Sequence, residues 1–166
     1  MRIIPEVHFS FIDHPFRKPS FVLYFCGCFR NCPGCHSPEL QNPYSDLCQT
    51  VTTEELISVL EYYIEKFRNK ITSIVLLGGD PVLYAKDIVK VFSYLKKKYV
   101  LEVVLYTGEL FENLDADLKD VVDLVVDGEY QETLKTGSFP ASANQRIFIK
   151  EGSNWKDITS LVSKKL

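Results

Sequence analysis

No run of apolar residues in this chain approaches the roughly 18 that a membrane-spanning helix needs, so no membrane partner is expected. Neither sign of charge dominates. Against 22 Asp and Glu stand 19 Lys and Arg, a formal net charge of −3, which gives no reason to expect a nucleic-acid partner. Glycine and proline number only 8 each and show no repeat, which excludes a collagen-like or low-complexity chain. The opening Met1-Arg2-Ile3-Ile4-Pro5-Glu6 is broken too early for a secretory signal, and a cytoplasmic location is the expectation. What remains is ordinary for a folded protein: 46% hydrophobic and 25% charged residues over 166 positions. That length suits one domain, residues 1–166, burying roughly 70% of the surface its unfolded chain exposes.

The unusual residues are the five cysteines. Cys26, Cys28, Cys32 and Cys35 fall close together and Cys48 stands apart. An odd count without a signal segment argues against a disulfide framework and for metal or catalytic use in a reducing compartment.

Around them the chain alternates strand-like and helix-like segments. Phe21 to Phe25 is a continuous apolar run that stops at Cys26-Gly27-Cys28 and reads as a buried strand. Thr52 and Glu55 form a capping box, followed by Leu56, Val59, Leu60, Tyr63, Ile64 and Phe67 on one helical face. Ile74 to Leu77 is a second buried strand ended by Gly78-Gly79-Asp80-Pro81, with a helix from about Ala85 to Lys98 behind it. Val100 to Tyr106 ends at Thr107-Gly108, a weaker helix runs from Leu110 to Leu118, and Val121 to Val126 ends at Asp127-Gly128. Glu129 to Thr136 reads as a short helix and Arg146 to Ile149 as a fifth strand. Asn154 reads as the cap of a last helix carrying Trp155, Ile158, Leu161 and Val162.

Apolar strands that do not alternate, each followed by a helix, indicate a mainly parallel sheet covered by helices. Five such units are too few to close an eight-stranded barrel. The expected fold is therefore α/β, either a partial, open β/α barrel or a small doubly wound sheet. In both, the chemistry gathers at the carboxyl ends of the strands.

Cys28-Phe29-Arg30-Asn31-Cys32-Pro33-Gly34-Cys35 places three thiols in a C-x3-C-x2-C loop directly after a strand. Three thiolates can each hold one iron of a cubane cluster, leaving the fourth iron free for another ligand, whereas electron-transfer clusters use four cysteines. Structural zinc is the alternative, with Cys26 or His36 completing a closed tetrahedral site. Zinc gives no reason for the Gly-Gly-Asp-Pro loop on the next strand.

The stretch Gly27 to His36 resembles the signature of radical S-adenosylmethionine enzymes, and among them the activating enzymes of anaerobic (class III) ribonucleotide reductase. The resemblance continues through Gly78-Gly79-Asp80-Pro81, Tyr106-Thr107-Gly108, Val126-Asp127-Gly128 and Asn144-Gln145-Arg146, in the family's order and over nearly the whole chain. It departs at Asp13-His14-Pro15-Phe16-Arg17, where the family carries Asp-Gly-Pro-Gly-x-Arg, so two glycines are replaced. Cys26 also lies outside the signature and reads as a small buried residue at the strand end.

The resemblance implies a partial barrel of radical S-adenosylmethionine type and a 4Fe-4S cluster on Cys28, Cys32 and Cys35. Through its amino acid tail, S-adenosylmethionine would chelate the open iron. One electron would then cleave it to methionine and a 5′-deoxyadenosyl radical. Gly78, Gly79 and Asp80 resemble the loop that binds the methionyl amine, although Asp80 could instead cap its own turn. Gly34, Cys35 and His36 resemble positions that touch adenine through backbone. Thr107 and Asp127 stand at strand ends, within reach of cofactor hydroxyls or in ordinary turn roles. The implied substrate is a glycine in the large subunit of anaerobic ribonucleotide reductase, with flavodoxin or ferredoxin as electron donor. Asn144-Gln145-Arg146 is expected to contact the cofactor or dock the partner. Two other readings remain open: a small-molecule radical enzyme of the 7-carboxy-7-deazaguanine synthase kind, which needs magnesium, and a non-catalytic zinc module.

Overall fold

The computed structural model describes residues 1–67 and 70–162. In chain order the strands and helices are β1 (Arg2–Ile3), β2 (His8–Ser10), β3 (Ser20–Phe25), β4 (Gln49–Thr50), α1 (Thr53–Lys66), β5 (Ser73–Gly78), α2 (Ala85–Lys98), β6 (Glu102–Tyr106), α3 (Ala116–Val121), β7 (Leu124–Asp127), β8 (Arg146–Glu151), β9 (Asn154–Asp157) and α4 (Thr159–Val162). Short 3-10 turns lie at Pro38–Leu40, Pro81–Tyr84, Phe111–Asn113 and Glu132–Leu134.

The strands form one mixed sheet in the order β4-β1-β3-β5-β6-β7-β8-β9, with β2 also paired to β3. Its centre, β3-β5-β6-β7, is parallel. Both flanks are antiparallel. No pairing among the described residues joins β4 to β9, so the sheet is open.

The central strands are apolar without alternation because both faces are covered. On one face Phe21, Leu23, Ile74, Leu76, Val103 and Leu105 meet Leu60 and Ile64 of α1, Ile88 and Phe92 of α2, and Leu118 of α3. On the other, Val22, Val75, Val104 and Val126 pack with Ile147, Ile158 and Val162. Each helix crossover returns the chain in the same direction. The loops after β3, β5, β6 and β7 therefore emerge at one end of the sheet.

Three expectations are corrected. The sheet is not mainly parallel, and β8 runs antiparallel to β7. The one helical element described in residues 128–145 is a 3-10 turn, beside an isolated bridge between Lys135 and Ser142, and without a crossover helix the chain turns back beside the strand it has just left. Asn154 does not cap a helix: Asn154–Asp157 is β9, paired with β8 from Glu151↔Asn154 to Phe148↔Asp157. The tight turn at Gly152-Ser153 makes this hairpin, and the last helix begins only at Thr159. Glu129 to Thr136 holds only the 3-10 turn Glu132–Leu134.

Candidate active site

The cysteine loop leaves the end of β3 under close backbone control. The Cys26 N–H donates to Arg2 O, the Gly27 N–H to Leu40 O at 2.7 Å, and the Cys28 N–H to Gln41 O at 2.9 Å. The Tyr84 hydroxyl donates to Cys26 O at 2.7 Å. Beside it runs the Gly-Gly-Asp-Pro loop, whose Gly79 N–H donates to Phe25 O and whose Asp80 N–H donates to Gly27 O. The two loops lie so close that a Cβ on Gly79 would stand 2.3 Å from Gly27 O. Gly78, at φ +119°, turns the chain out of β5.

Cys28, Cys32 and Cys35 are free and partly exposed. Burial pushes the Cys32 thiol up, the Glu129 charge and the neighbouring Cys28 and Cys35 add to this, and the Tyr130 N–H opposes it. Cys26 is not a free thiol, because it forms a disulfide with Cys48 across 22 positions. That corrects the expectation of a chain without disulfides. The bridge lies in a small buried cluster with Leu40, where the segment after the 3-10 turn Pro38–Leu40 folds back beneath the strand end. It also removes Cys26 from any set of metal ligands. Among the described residues no three His, Cys, Asp or Glu side chains converge as ligands of a single ion. Three thiols spread along one loop, with no fourth sulfur available, are a donor set that fits a cluster in which each thiolate meets a different iron. His36 is exposed directly after Cys35.

Asp80 is almost fully buried and accepts four hydrogen bonds. Its donors are the Val82 N–H, the Thr107 hydroxyl at 2.8 Å, the Gly108 N–H and the Arg30 guanidinium at 2.6 Å. Burial pushes its carboxyl up, and the Thr107 bond and the Arg30 charge offset this only in part. The bond to Val82 makes Asp80 the N-cap of the 3-10 turn Pro81–Tyr84, so the turn-capping role is present. The structure thus brings the cysteine loop, Gly78-Gly79-Asp80 and Thr107 together at the carboxyl ends of β3, β5 and β6.

Asp127, fully buried, accepts from the Phe111 N–H and from Arg146, whose guanidinium also forks onto Glu112. Gln145 donates to Gly128 O and Asn144 to Glu129 O. The Asn144-Gln145-Arg146 segment therefore braces the turn after β7. The residues that the sequence reading missed are Arg30, Glu109 and Glu129, which line a cavity of about 450 Å³ together with Phe29, Asp80 and Leu83. Glu109 and Glu129 each directly follow a strand-end glycine, and that placement was the available signal.

Residues 17–148 match a family profile described as "4Fe-4S single cluster domain". Over 134 residues the chain is 30% identical to the anaerobic ribonucleoside-triphosphate reductase-activating protein of Escherichia coli K12, covering 76% of this chain and 85% of that protein. A putative glycyl-radical enzyme activating enzyme of Methanocaldococcus jannaschii is 28% identical over 92 residues, 55% of this chain. An uncharacterised protein of the same organism is 26% identical over 113 residues. The chain spans only 34% and 31% of those two archaeal proteins.

Proposed function

Because the chain belongs to the 4Fe-4S single cluster domain family, matched over residues 17–148, we propose that it is a glycyl-radical-enzyme activase. Its fold would be an open barrel of radical S-adenosylmethionine type in residues 1–166. Its substrate would be a glycine in the large subunit of anaerobic ribonucleotide reductase. The observation that carries this reading is the set of three free thiols in one loop against Gly78-Gly79-Asp80, with the nearest other cysteine, Cys26, locked in a disulfide.

Cys28, Cys32 and Cys35 would hold a 4Fe-4S cluster, which when reduced would supply the electron for reductive cleavage of S-adenosylmethionine. The chain's own residues bind and orient. Gly78 and Gly79 would let backbone approach the methionyl amine, and the backbone of Gly34, Cys35 and His36 would border the adenine. The buried Thr107 hydroxyl donates to Asp80, so Thr107 would serve the ligand site through Asp80. Carboxylates outnumber guanidinium groups there, which suits a sulfonium carrying an ammonium. Flavodoxin or ferredoxin would supply electrons in the cytoplasm, where the buried Cys26–Cys48 bridge would have to be shielded from reductant.

The small-molecule alternative loses its candidate magnesium ligand, since Asp127 is committed to Arg146 and the Phe111 amide. The zinc module loses Cys26 and keeps His36 as its one candidate fourth ligand.

The test is anaerobic reconstitution followed by assay for 5′-deoxyadenosine, with electron paramagnetic resonance of a candidate reductase. Changing Cys28, Cys32 or Cys35 to Ala should abolish both the cluster and the cleavage. Cys48→Ala should keep both, at a stability cost of up to about 3 kcal/mol for the lost cross-link. Loss of activity in Cys48→Ala equal to that in Cys28→Ala would refute the ligand assignment.

A further inference from the structure

Arg30 sits in the x3 interval between Cys28 and Cys32, a stretch that belongs to no helix or strand. Its guanidinium reaches three carboxylates from three different loops. Nη1 donates to Asp80 Oδ2 at 2.6 Å, after β5. Nη2 donates to Glu109 Oε2 at 2.7 Å, after β6. Nε stands 3.3 Å from Glu129 Oε1, after β7. One side chain on the β3 loop is therefore tied to the loops of all the other parallel strands.

Two of the three carboxylates, those of Asp80 and Glu109, are held independently of Arg30, and the third has its backbone fixed. Asp80 is fixed by the Val82 and Gly108 amides and the Thr107 hydroxyl. Glu109 accepts from the Leu110 N–H and the Asn113 amide. Glu129 lies in the turn braced by Asn144 and Gln145. A planar fork with five donors is the group that can meet three acceptors at once. The stem has a prepared seat as well: a Cβ on Gly108 would lie 2.4 Å from Arg30 Cδ and 2.8 Å from Nε. Directly after Arg30 the backbone turns through Asn31 at φ +49°, in the left-handed region, on its way to Cys32.

We propose that Arg30 is the positioning residue of the cysteine loop: its guanidinium, seated over Gly108 and shared by Asp80, Glu109 and Glu129, fixes the stretch between Cys28 and Cys32 against the other strand-end loops before any cofactor arrives. This rests on the activase reading and deepens it. Three carboxylates against one guanidinium leave an excess of two negative charges, so the tie orders the loop and still leaves the cavity attractive to a cation.

The test uses the full chain with Arg30→Gln, Arg30→Lys and Gly108→Ala, the last of which unseats the side chain without touching a charge. In metal-free protein, alkylation of the three free thiols and amide exchange over residues 28–35 are measured. After anaerobic reconstitution, the rate at which a chelator strips iron and the change in the reduced-cluster resonance spectrum on adding S-adenosylmethionine are measured. Arg30→Gln and Gly108→Ala should raise alkylation and stripping at least tenfold and blunt the spectral change. Arg30→Lys, which can keep one of the three contacts, should fall between them and the parent. Parental rates in both Arg30→Gln and Gly108→Ala overturn the proposal. So does tighter binding of S-adenosylmethionine by Arg30→Gln, which would make Arg30 a competitor for the ligand's place. Should the parent chain take up no cluster, the activase reading falls, while alkylation and amide exchange still decide the role of Arg30.

Discussion

His14 stands where the resembled family carries glycine, and the structure gives the substitution a use. The residue is 1% exposed. Its Nδ1 accepts from the Phe16 N–H, so the ring proton lies on Nε2 and is donated to Glu102 at 3.1 Å. Lys18 binds both oxygens of the same carboxylate, fastening the segment before β3 to the start of β6. Neither position 14 nor position 16 adopts a left-handed conformation, whereas Arg17 does, at φ +54°. Burial raises the Glu102 carboxyl, but the bonds from His14 and Lys18 outweigh it and hold the group below its ordinary value. A carboxyl lowered in the folded state stabilises above its unfolded pKa, and that contribution is lost as pH falls through the folded value. Glu102→Gln should therefore lose about 1 kcal/mol at pH 7, with the gap in melting temperature closing as the pH is lowered past the ordinary glutamate value near 4.5. A gap that persists unchanged in acid would contradict the assignment. Spacing could flag the cysteines but not Arg30, because a motif written C-x3-C treats the residues between ligands as filler.

Among the elements, α1 is the one whose start the sequence spells out. The Glu55 N–H donates to the Thr52 hydroxyl and the Thr52 N–H to the Glu55 carboxylate at 2.8 Å, which holds that carboxyl below its usual range. Thr52→Ala should cost about 1 kcal/mol, seen as a lower urea midpoint with an unchanged slope. The central strands and α2 were legible for a related reason: burial on both faces writes a continuous apolar run, and one-sided burial writes a helical period. β1, β2 and β4 were not, since two or three residues carry no period. The direction of β8 was invisible because it depends on the connection that precedes the strand rather than on its own residues. Trp155, Ile158 and Val162 fall at helical spacing, yet Trp155 belongs to a strand, where it contacts Phe111. The Gly152-Ser153 turn was the competing signal. At the site the loops were legible and their cross-connections were not: Asp80 reads as a lone acid after two glycines, while its partners Arg30 and Thr107 lie 50 and 27 positions away.

The whole molecule is a parallel core that delivers four loops to one end, with antiparallel strands added on either side. The additions are not idle. β8 contributes Arg146, and the connection before it contributes Asn144 and Gln145, so the antiparallel flank steadies the same mouth that the parallel core creates. The first flank is fastened differently, by the covalent bridge between Cys26 and Cys48. Both sulfur-bearing residues are nearly inaccessible, at 0% and 5% exposed. A reductant strong enough to protect the cluster ligands therefore has little access to this bond while the chain stays folded. Titration of the native apoprotein with a thiol reagent should return three equivalents, and five only after unfolding in reductant. Five from the native chain would show the bridge open. The sulfhydryl titre of the folded chain is thus indifferent to the reductant used in purification, so the same buffer can keep three sulfurs ready and leave two joined.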